Sequence, residues 1–181
     1  MSTLTFPFLR ATEKPKASAA KHPAGPQTLA PPPENLSAER VLEVEHYTDR
    51  LFRFKITRPA SFRFRAGEFV MIGLRTDSRP LLRAYSIASP PWDDMLEFYS
   101  IIAPNGPLTS RLCRIRPGDE VLLARKATGT LVLDALTPAR RLFLISTGTG
   151  FAPFASLLRE PETYSKFKQI IVTHTCREAA E

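Results

Sequence analysis

Hydrophobic and polar residues alternate along much of the chain from Leu36 onward. The segment RLFRFKITRP sets Phe52, Phe54 and Ile56 between charged or hydroxyl-bearing neighbours, the period of a half-buried strand. Further strand-like segments follow, separated by proline and glycine turns. They are AGEFVMIGL (66–74), LLRAYSIAS (81–89), MLEFYSIIA (95–103), EVLLAR (120–125) and TLVLD (130–134). Short strands with turns at this spacing predict a closed antiparallel barrel.

One segment in this series, GPLTSRLCRI, does not alternate. We predict a short helix that opens near Leu108, with Thr109 and Ser110 in its first turn. Hydroxyl side chains at a helix start indicate either ordinary capping or a site for an anion.

The pattern changes again after Pro138. An apolar strand RLFLIS (141–146), a glycine-rich turn TGTGFAP, a helical segment FASLLRE (154–160) and a buried strand QIIVTHT (169–175) follow one another. This order predicts the start of a parallel sheet. The turn can present backbone N–H groups to a phosphate, although Pro153 replaces the third glycine of the dinucleotide fingerprint. The motif therefore also fits an ordinary tight turn.

The leading residues, 1–35, are rich in Pro, Ala, Ser and Thr and hold seven of the 17 prolines. We predict a disordered or polyproline-like tail, because such a segment buries little. Arginine is too sparse for a targeting peptide, and no apolar segment with a cleavage site follows. The predicted organisation is the tail (1–35), a barrel domain (36–137) and a partial α/β domain (138–181).

The chain carries 25 Lys and Arg against 18 Asp and Glu, a net charge of +7. Such a surplus suits an anionic cofactor, an acidic protein or nucleic acid. Nucleic acid is disfavoured, because no zinc-finger spacing, basic helix or aromatic RNA-binding signature is present. No apolar run approaches a membrane span, so we expect no membrane insertion. Cys113 and Cys176 are far apart, which favours a reducing, cytoplasmic compartment, and no metal-ligand spacing predicts a metal site.

The segment LLRAYSIASP (81–90) carries the strongest candidate chemistry. It reads as a buried strand, yet it contains Arg83, whose charge would need an anion or a carboxylate such as Glu68 or Glu97. An Arg-x-Tyr-Ser strand, an anion-ready helix start and a phosphate-type turn occur in order along the chain. Together they fit a ligand with a flat aromatic ring and a pyrophosphate, such as FAD.

From about Leu36 to its end, the chain resembles the bacterial-type ferredoxin/flavodoxin–NADP reductases of the plant-type ferredoxin reductase superfamily. The matching segments, in the family's order and spacing, are RAYSIASP, LEFYSI, NGPLTSRL, PGDEVLLARKATGTLVLD, STGTGFAPF and VTHTCRE. The resemblance implies an antiparallel Greek-key barrel with one short helix that binds FAD, followed by an α/β parallel-sheet NADP-binding domain. It also implies an oxidoreductase that exchanges electrons between NADPH and ferredoxin or flavodoxin, with hydride transfer at flavin N5.

The resemblance assigns cofactor contacts residue by residue. It places Arg83 at the flavin pyrophosphate, Tyr85 stacked on the isoalloxazine and Ser86 near its N5/O4 edge, so Tyr85 and Ser86 are the candidate catalytic residues. The other implied FAD contacts are Ala84, Tyr99, Ser100 and Ile101, and Pro107, Leu108 and Thr109 through backbone amides. Thr149 is implied at the flavin side of the interdomain cleft, and Cys176 and Arg177 at the 2′-phosphate of NADP.

The chain stops after one βα unit and the next strand, so the resemblance implies an incomplete second lobe. We expect Phe143, Ile145, Ile170 and Val172 to be exposed on a two-stranded sheet, and a complete chain to be a monomer. Two alternatives stay open: another NAD(P)H-dependent flavin or oxygenase reductase of the same superfamily, and a non-catalytic flavin-binding barrel. No Cys cluster for an iron–sulfur centre is present, which argues against a fused electron-transfer arm.

Overall fold

The computed structural model describes residues 31–103 and 105–177. All of these residues belong to one compact unit, which begins at Pro31. Residues 1–30 of the predicted tail therefore lie outside the described residues. Among the helices of the described part, none is long and apolar enough to cross a membrane.

Six antiparallel strands form a nearly closed barrel. In chain order they are β1 (Leu36–His46), β2 (Leu51–Thr57), β3 (Phe69–Leu74), β4 (Leu81–Ser86), β5 (Met95–Ile101) and β6 (Glu120–Ala124). A short helix, α1 (Thr109–Leu112), lies between β5 and β6. The order of the strands in space is β4-β3-β6-β1-β2-β5. Because β6 lies between β3 and β1, the chain must cross over the barrel ends. The predicted antiparallel Greek-key class is confirmed.

The barrel core follows from the alternation in the sequence. Phe52, Phe54 and Ile56 on β2 are fully buried, and Phe98 on β5 stacks on Phe54 with ring centroids 5.4 Å apart. The first strand, β1, was not predicted as a separate element. A register shift between Val41 and Glu43 interrupts its pairing with β2, and with it the alternation that would have revealed the strand.

The prediction of a strand over 130–134 is wrong. Leu133–Ala135 instead form a single 3-10 turn, and Val132 and Leu133 are buried without a strand partner along this segment. Burial under the second lobe accounts for the apolar pattern, because Leu133 packs in one cluster with Leu142 and Leu157.

The expectation that the strand around Arg83 is buried is also wrong. β4 pairs with β3 on one side only and is an edge strand of the sheet. Arg83 and Ala84 are exposed, and the other four residues of β4 are half-buried. The chain becomes fully buried only beyond the strand, at Ile87 and Ala88.

The second lobe begins as the sequence indicates. β7 (Ala139–Thr147) is followed by a 3-10 turn (Gly148–Phe151), α2 (Ala152–Leu158), α3 (Pro161–Lys166) and β8 (Phe167–Thr175). β7 and β8 pair in parallel, with Arg141 opposite Gln169, which confirms the predicted parallel sheet. The short helix α3 was not predicted.

The parallel sheet buries one face against the barrel side of the molecule. Leu142, Leu144 and Phe167 pack in a cluster with Ala66, Leu133 and Leu157. On the opposite face Phe143 and Ile145 are 57% and 72% exposed, as expected. Val172 is also exposed as expected, at 41%, although it pairs with Leu144 and so shares the face of the buried cluster. Exposure of Ile170 is the part that is wrong, because Ile170 lies opposite Leu142 and packs against the buried cluster.

Candidate functional site

A cleft of about 310 Å³ opens where β4 and β5 approach the glycine-rich turn. It is lined by Ala84, Tyr85, Ser86, Tyr99, Ser100, Ile101, Thr109, Thr149, Gly150 and Ala152. All of these except Gly150 and Ala152 were selected from the sequence. Residues up to 68 positions apart therefore meet in one place, although no single motif among them identified a site.

The cleft lies at the seam of the barrel. β4 and β5 are the two outer strands of the sheet, and the Tyr85 hydroxyl bridges them through a hydrogen bond of 3.0 Å to Ser100 Oγ. The Tyr85 ring makes edge contacts with Phe54 and Phe98, at centroid distances of 6.1 and 6.4 Å. Burial raises the pKa of Tyr85 above its ordinary value, so its hydroxyl keeps its proton to a higher pH than that of an exposed tyrosine. The result is a fixed aromatic surface with hydroxyls beside it.

Arg83 lies exposed on β4, next to the cleft residue Ala84. Its Nη1 donates to the carbonyl of Leu82 at 2.8 Å. Both carboxylates considered as its partners are engaged by other arginines: Glu68 by Arg65 at 2.9 Å and Glu97 by Arg159 at 3.4 Å. The structural-pairing alternative for Arg83 is thus not supported, and its guanidinium is positioned to meet a solvent-borne anion.

The predicted short helix is present as α1 (Thr109–Leu112). Capping does not explain its hydroxyls, because the helix has no side-chain cap and Thr109 Oγ1 instead accepts the N–H of Ala103 at 3.2 Å. The Leu108 side chain lies in the barrel core. Pro107 has no N–H, so the amide contacts expected of Pro107, Leu108 and Thr109 can come only from the latter two.

The glycine-rich turn, between β7 and α2 of the second lobe, reaches the cleft through Thr149 and Gly150. Gly148 has φ +48°, a left-handed conformation that glycine adopts without strain, and Pro153 lies in the first turn of α2, where its missing N–H costs nothing. Thr149 lines the cleft just described and also a second one of about 190 Å³.

The second cleft is mostly aromatic. Tyr47, Leu51, Tyr99, Gly148, Thr149, Phe151 and His174 line it. His174 Nδ1 lies 2.9 Å from Ser146 Oγ, and its ring contacts Phe151 at 5.5 Å. Cys176 and Arg177 follow β8 and are exposed, but neither belongs to the lining of either cleft.

Tyr99 separates the two clefts and borders both. Burial raises the pKa of Tyr99 to about 12, and the nearby Glu97 carboxylate adds to the rise. Tyr99 also packs against the small residues Ala88, Ala152 and Ala155, where barrel and second lobe meet. Its ring therefore stays uncharged at the junction.

Sequence reasoning missed the charged contacts that support the cleft. Glu97 is 5% exposed, next but one to Tyr99 on β5, and faces Arg159 and Arg53. The only signal in the sequence was an acidic residue at an otherwise apolar strand position, which does not reveal a partner 62 residues away.

The donor set fits a flat aromatic ligand with a phosphate group. The Tyr85 ring and the hydroxyls of Ser86 and Thr109 line one opening, and the exposed Arg83 precedes the lining residue Ala84 on β4. Among the described residues, no group of three or more His, Cys, Asp or Glu is arranged to hold a metal ion.

Residues 40–131 match the model of the oxidoreductase FAD-binding domain, which is more than half of the chain. The chain belongs to this family. It is 57% identical over 154 residues to the flavodoxin/ferredoxin–NADP reductase of Rhodobacter capsulatus, covering 84% of this chain. It is 55% identical over 147 residues to the ferredoxin–NADP reductase of Pseudomonas aeruginosa, covering 81% of this chain.

The fold has a similar solved structure. The ferredoxin NADP⁺ reductase of Neisseria gonorrhoeae, crystallised with FAD and NADP, superposes with a TM-score of 0.79 at 32% identity over 82% of this chain and 60% of its own. The resemblance inferred from the sequence is confirmed. The chain spans 57% of the length of the two curated relatives.

Proposed function

We propose that this chain binds FAD in the cleft between β4 and β5 and passes electrons from NADPH to an acidic redox protein, ferredoxin or flavodoxin. The observation that carries the proposal is the single cleft that gathers Tyr85, Ser86, Tyr99 and Thr149 at the seam of the barrel. The high identity to reductases over four-fifths of the chain supports the same activity.

The residues have distinct roles in this proposal. Tyr85 supplies a stacking surface whose angle is set by Phe54, Phe98 and the hydrogen bond to Ser100. Ser86 lies next to it and offers a hydroxyl at the redox edge, while Arg83 and the amides of Leu108 and Thr109 neutralise the pyrophosphate. The bound flavin supplies the hydride and single-electron chemistry. The chain's residues hold it flat and keep water from one face.

The remaining assignments belong to the same proposal. Residues 36–137 form the FAD-binding domain and 138–181 contribute to nucleotide binding. Tyr99, Ser100 and Ile101 line the ribityl side, and Thr149 faces the flavin. Cys176 and Arg177 select NADP through its 2′-phosphate, since a guanidinium there favours NADPH over NADH.

Charge and cysteine content support the partner and the location. The net charge of +7 would speed encounter with an acidic electron carrier and make the rate salt-dependent. Cys113 and Cys176 are free thiols, which suits the reducing cytoplasm. We infer that a chain with a complete second lobe, in which the exposed face of the parallel sheet is covered, is a monomer.

The decisive experiment measures flavin binding and reduction on the 181-residue protein. We expect added FAD to remain bound through gel filtration, with its fluorescence changed, and to be bleached anaerobically by NADPH faster than by NADH. A protein that retains no FAD would refute the proposal. Retention of FAD without reduction by either nucleotide would leave a flavin-binding barrel and contradict the reductase activity.

A further inference from the structure

The barrel and the second lobe meet at a polar contact set beside the cleft. Ser89, just after β4, is fully buried, and its carbonyl accepts a 2.7 Å hydrogen bond from Ser156 Oγ on α2. Ser89 Oγ in turn accepts the N–H of Glu97 at 3.1 Å. The segment after β4 is thus held on one side by β5 and on the other by α2.

A charged pair reinforces this contact. Arg159, the residue after α2, places Nη2 3.4 Å from Glu97 Oε1 and Nη1 3.5 Å from Oε2. These distances are long for direct hydrogen bonds, so the attraction is chiefly Coulombic. The Glu97 side chain is only 6% exposed, and among the described residues Arg53 also approaches it, with Nη1 at 3.9 Å. A buried carboxylate depends strongly on such partners.

The pair acts on the cleft through α2. That helix begins at Ala152, which lines the cleft, and ends at Leu158, next to Arg159. At its first turn, Ala152 and Ala155 pack with Ala88 and against Tyr99, on the same face of β5 as Glu97. Because α2 has only two turns, a shift at its Arg159 end would move the glycine turn, which includes Thr149, relative to Tyr99.

We propose that Glu97 and Arg159 are positioning residues that fix the glycine turn Gly148–Phe151 at the correct height above the flavin cleft. The effect of this positioning on hydride transfer between nucleotide and flavin rests on the proposed function. The positioning of the turn by Glu97 and Arg159 does not, because it is a property of the protein without a ligand. Neither side chain is among the residues that line the cleft.

The test uses the full 181-residue protein and the variants Glu97→Gln, Arg159→Gln and Arg159→Lys. Glu120→Gln serves as the matched control, because it removes a barrel ion pair, Glu120 with Arg75 at 2.7 Å, that does not reach the second lobe. Amide hydrogen exchange of residues 148–158 is measured with and without FAD, together with the visible circular dichroism of bound flavin.

We expect Glu97→Gln and Arg159→Gln to speed exchange over residues 148–158 about tenfold while strand β6 keeps its wild-type exchange. Arg159→Lys should restore most of the protection, and Glu120→Gln should behave like the wild type. The bound flavin's circular dichroism should change in the two Gln variants at unchanged FAD occupancy, a signature that general destabilisation does not produce.

Two results would overturn the inference: wild-type exchange over residues 148–158 in both Gln variants, or faster exchange spread equally over the barrel. Failure of the proposed function is a separate outcome, because a protein that binds no FAD still reports the exchange of this segment. Where NADPH reduces the flavin, the limiting rate should fall about tenfold in the Gln variants, with a smaller change in nucleotide affinity.

Discussion

Arg83 is exposed on an edge strand, with its guanidinium held by a backbone carbonyl rather than by a carboxylate. If it meets the flavin pyrophosphate, Arg83→Ala removes a charge-assisted contact of roughly 1.5–3 kcal/mol. We expect the dissociation constant for FAD to rise by about ten- to a hundredfold with little loss of melting temperature. Titration of the apoprotein with FAD, followed by flavin fluorescence, measures it.

Arg114→Ala is the matched control for this prediction, because Arg114 is also an exposed arginine of the barrel domain but does not line the cleft. Its FAD affinity should equal that of the wild type. An equal loss in both variants would mean that general positive charge, rather than a contact by Arg83, draws the cofactor.

Tyr99 gives a prediction about alkaline stability. Its pKa is raised to about 12 in the folded protein, whereas an unfolded tyrosine titrates near 10. The unfolded state therefore loses its proton first, so the stability from neutral Tyr99 is complete below about pH 10 and is lost as the pH rises through about 12. We expect Tyr99→Phe to flatten the fall in melting temperature between pH 10 and 12.

Thermal unfolding of the wild type, Tyr99→Phe and Tyr164→Phe across this range makes the comparison. The Tyr164 ring is 58% exposed and lies away from the cleft, so its variant should keep the wild-type slope. Parallel slopes for all three proteins would contradict the buried, neutral state assigned to Tyr99.

At the scale of residues, the sequence predicted the residues that line the cleft better than the charged residues that hold them in place. The Arg-x-Tyr-Ser strand, the helix start and the glycine turn each carry local signals, and a family resemblance could join them. Glu97 with Arg159 had no such signal, because a pair 62 residues apart is formed only by the packing of α2 on the barrel. Charge partners of this kind are a property of the tertiary structure.

At the scale of elements, alternation predicted a strand where one face is buried and one exposed, as in β2. Alternation gave a wrong prediction in two cases. The apolar residues of 130–134 are buried by contact with the second lobe rather than by pairing, and β4 looked like a buried strand although it forms an edge. Periodicity reports which side chains are covered, but not which element covers them.

The contact between β3 and β4 yields an element-scale prediction. A Cβ added at Gly73 would lie 1.8 Å from the carbonyl oxygen of Leu81, so Gly73→Ala must push β4 away from β3. Such overpacking typically costs about 1–3 kcal/mol, or a fall of roughly 2–12 °C in melting temperature for a chain of this size. Since β4 carries Arg83 and Tyr85, FAD affinity should fall as well.

Gly150→Ala is the control, because nothing lies within 4 Å of a Cβ at that position. Differential scanning calorimetry of both variants should show a clear loss for Gly73→Ala and nearly wild-type unfolding for Gly150→Ala. Equal melting temperatures would show that β4 can move without cost, and the seam of the barrel would then be far less rigid than the Tyr85–Ser100 bridge indicates.

At the scale of the whole molecule, the two lobes differ in how completely they are covered. The barrel surrounds a large apolar core, whereas the parallel sheet of β7 and β8 buries one face and exposes the other. Two strands with open edges and an apolar face are a template for association between chains. Phe143 and Ile145 lie two positions apart on β7, so their side chains form one continuous patch.

We therefore expect the 181-residue protein to self-associate through this face, and Ile145→Thr, which keeps a β-branched side chain, to weaken the association. Ile145 is 72% exposed, so the change should leave the melting temperature of the monomer nearly unaltered. Loss of its apolar area from the contact should raise the dissociation constant about tenfold. Size-exclusion chromatography with light scattering over a range of concentrations measures this.

Leu131→Thr, at a site that is 45% exposed outside the sheet, should leave the association unchanged. A wild-type protein that stays monomeric at every concentration, or equal effects of the two substitutions, would show that the exposed sheet face does not drive contact between chains.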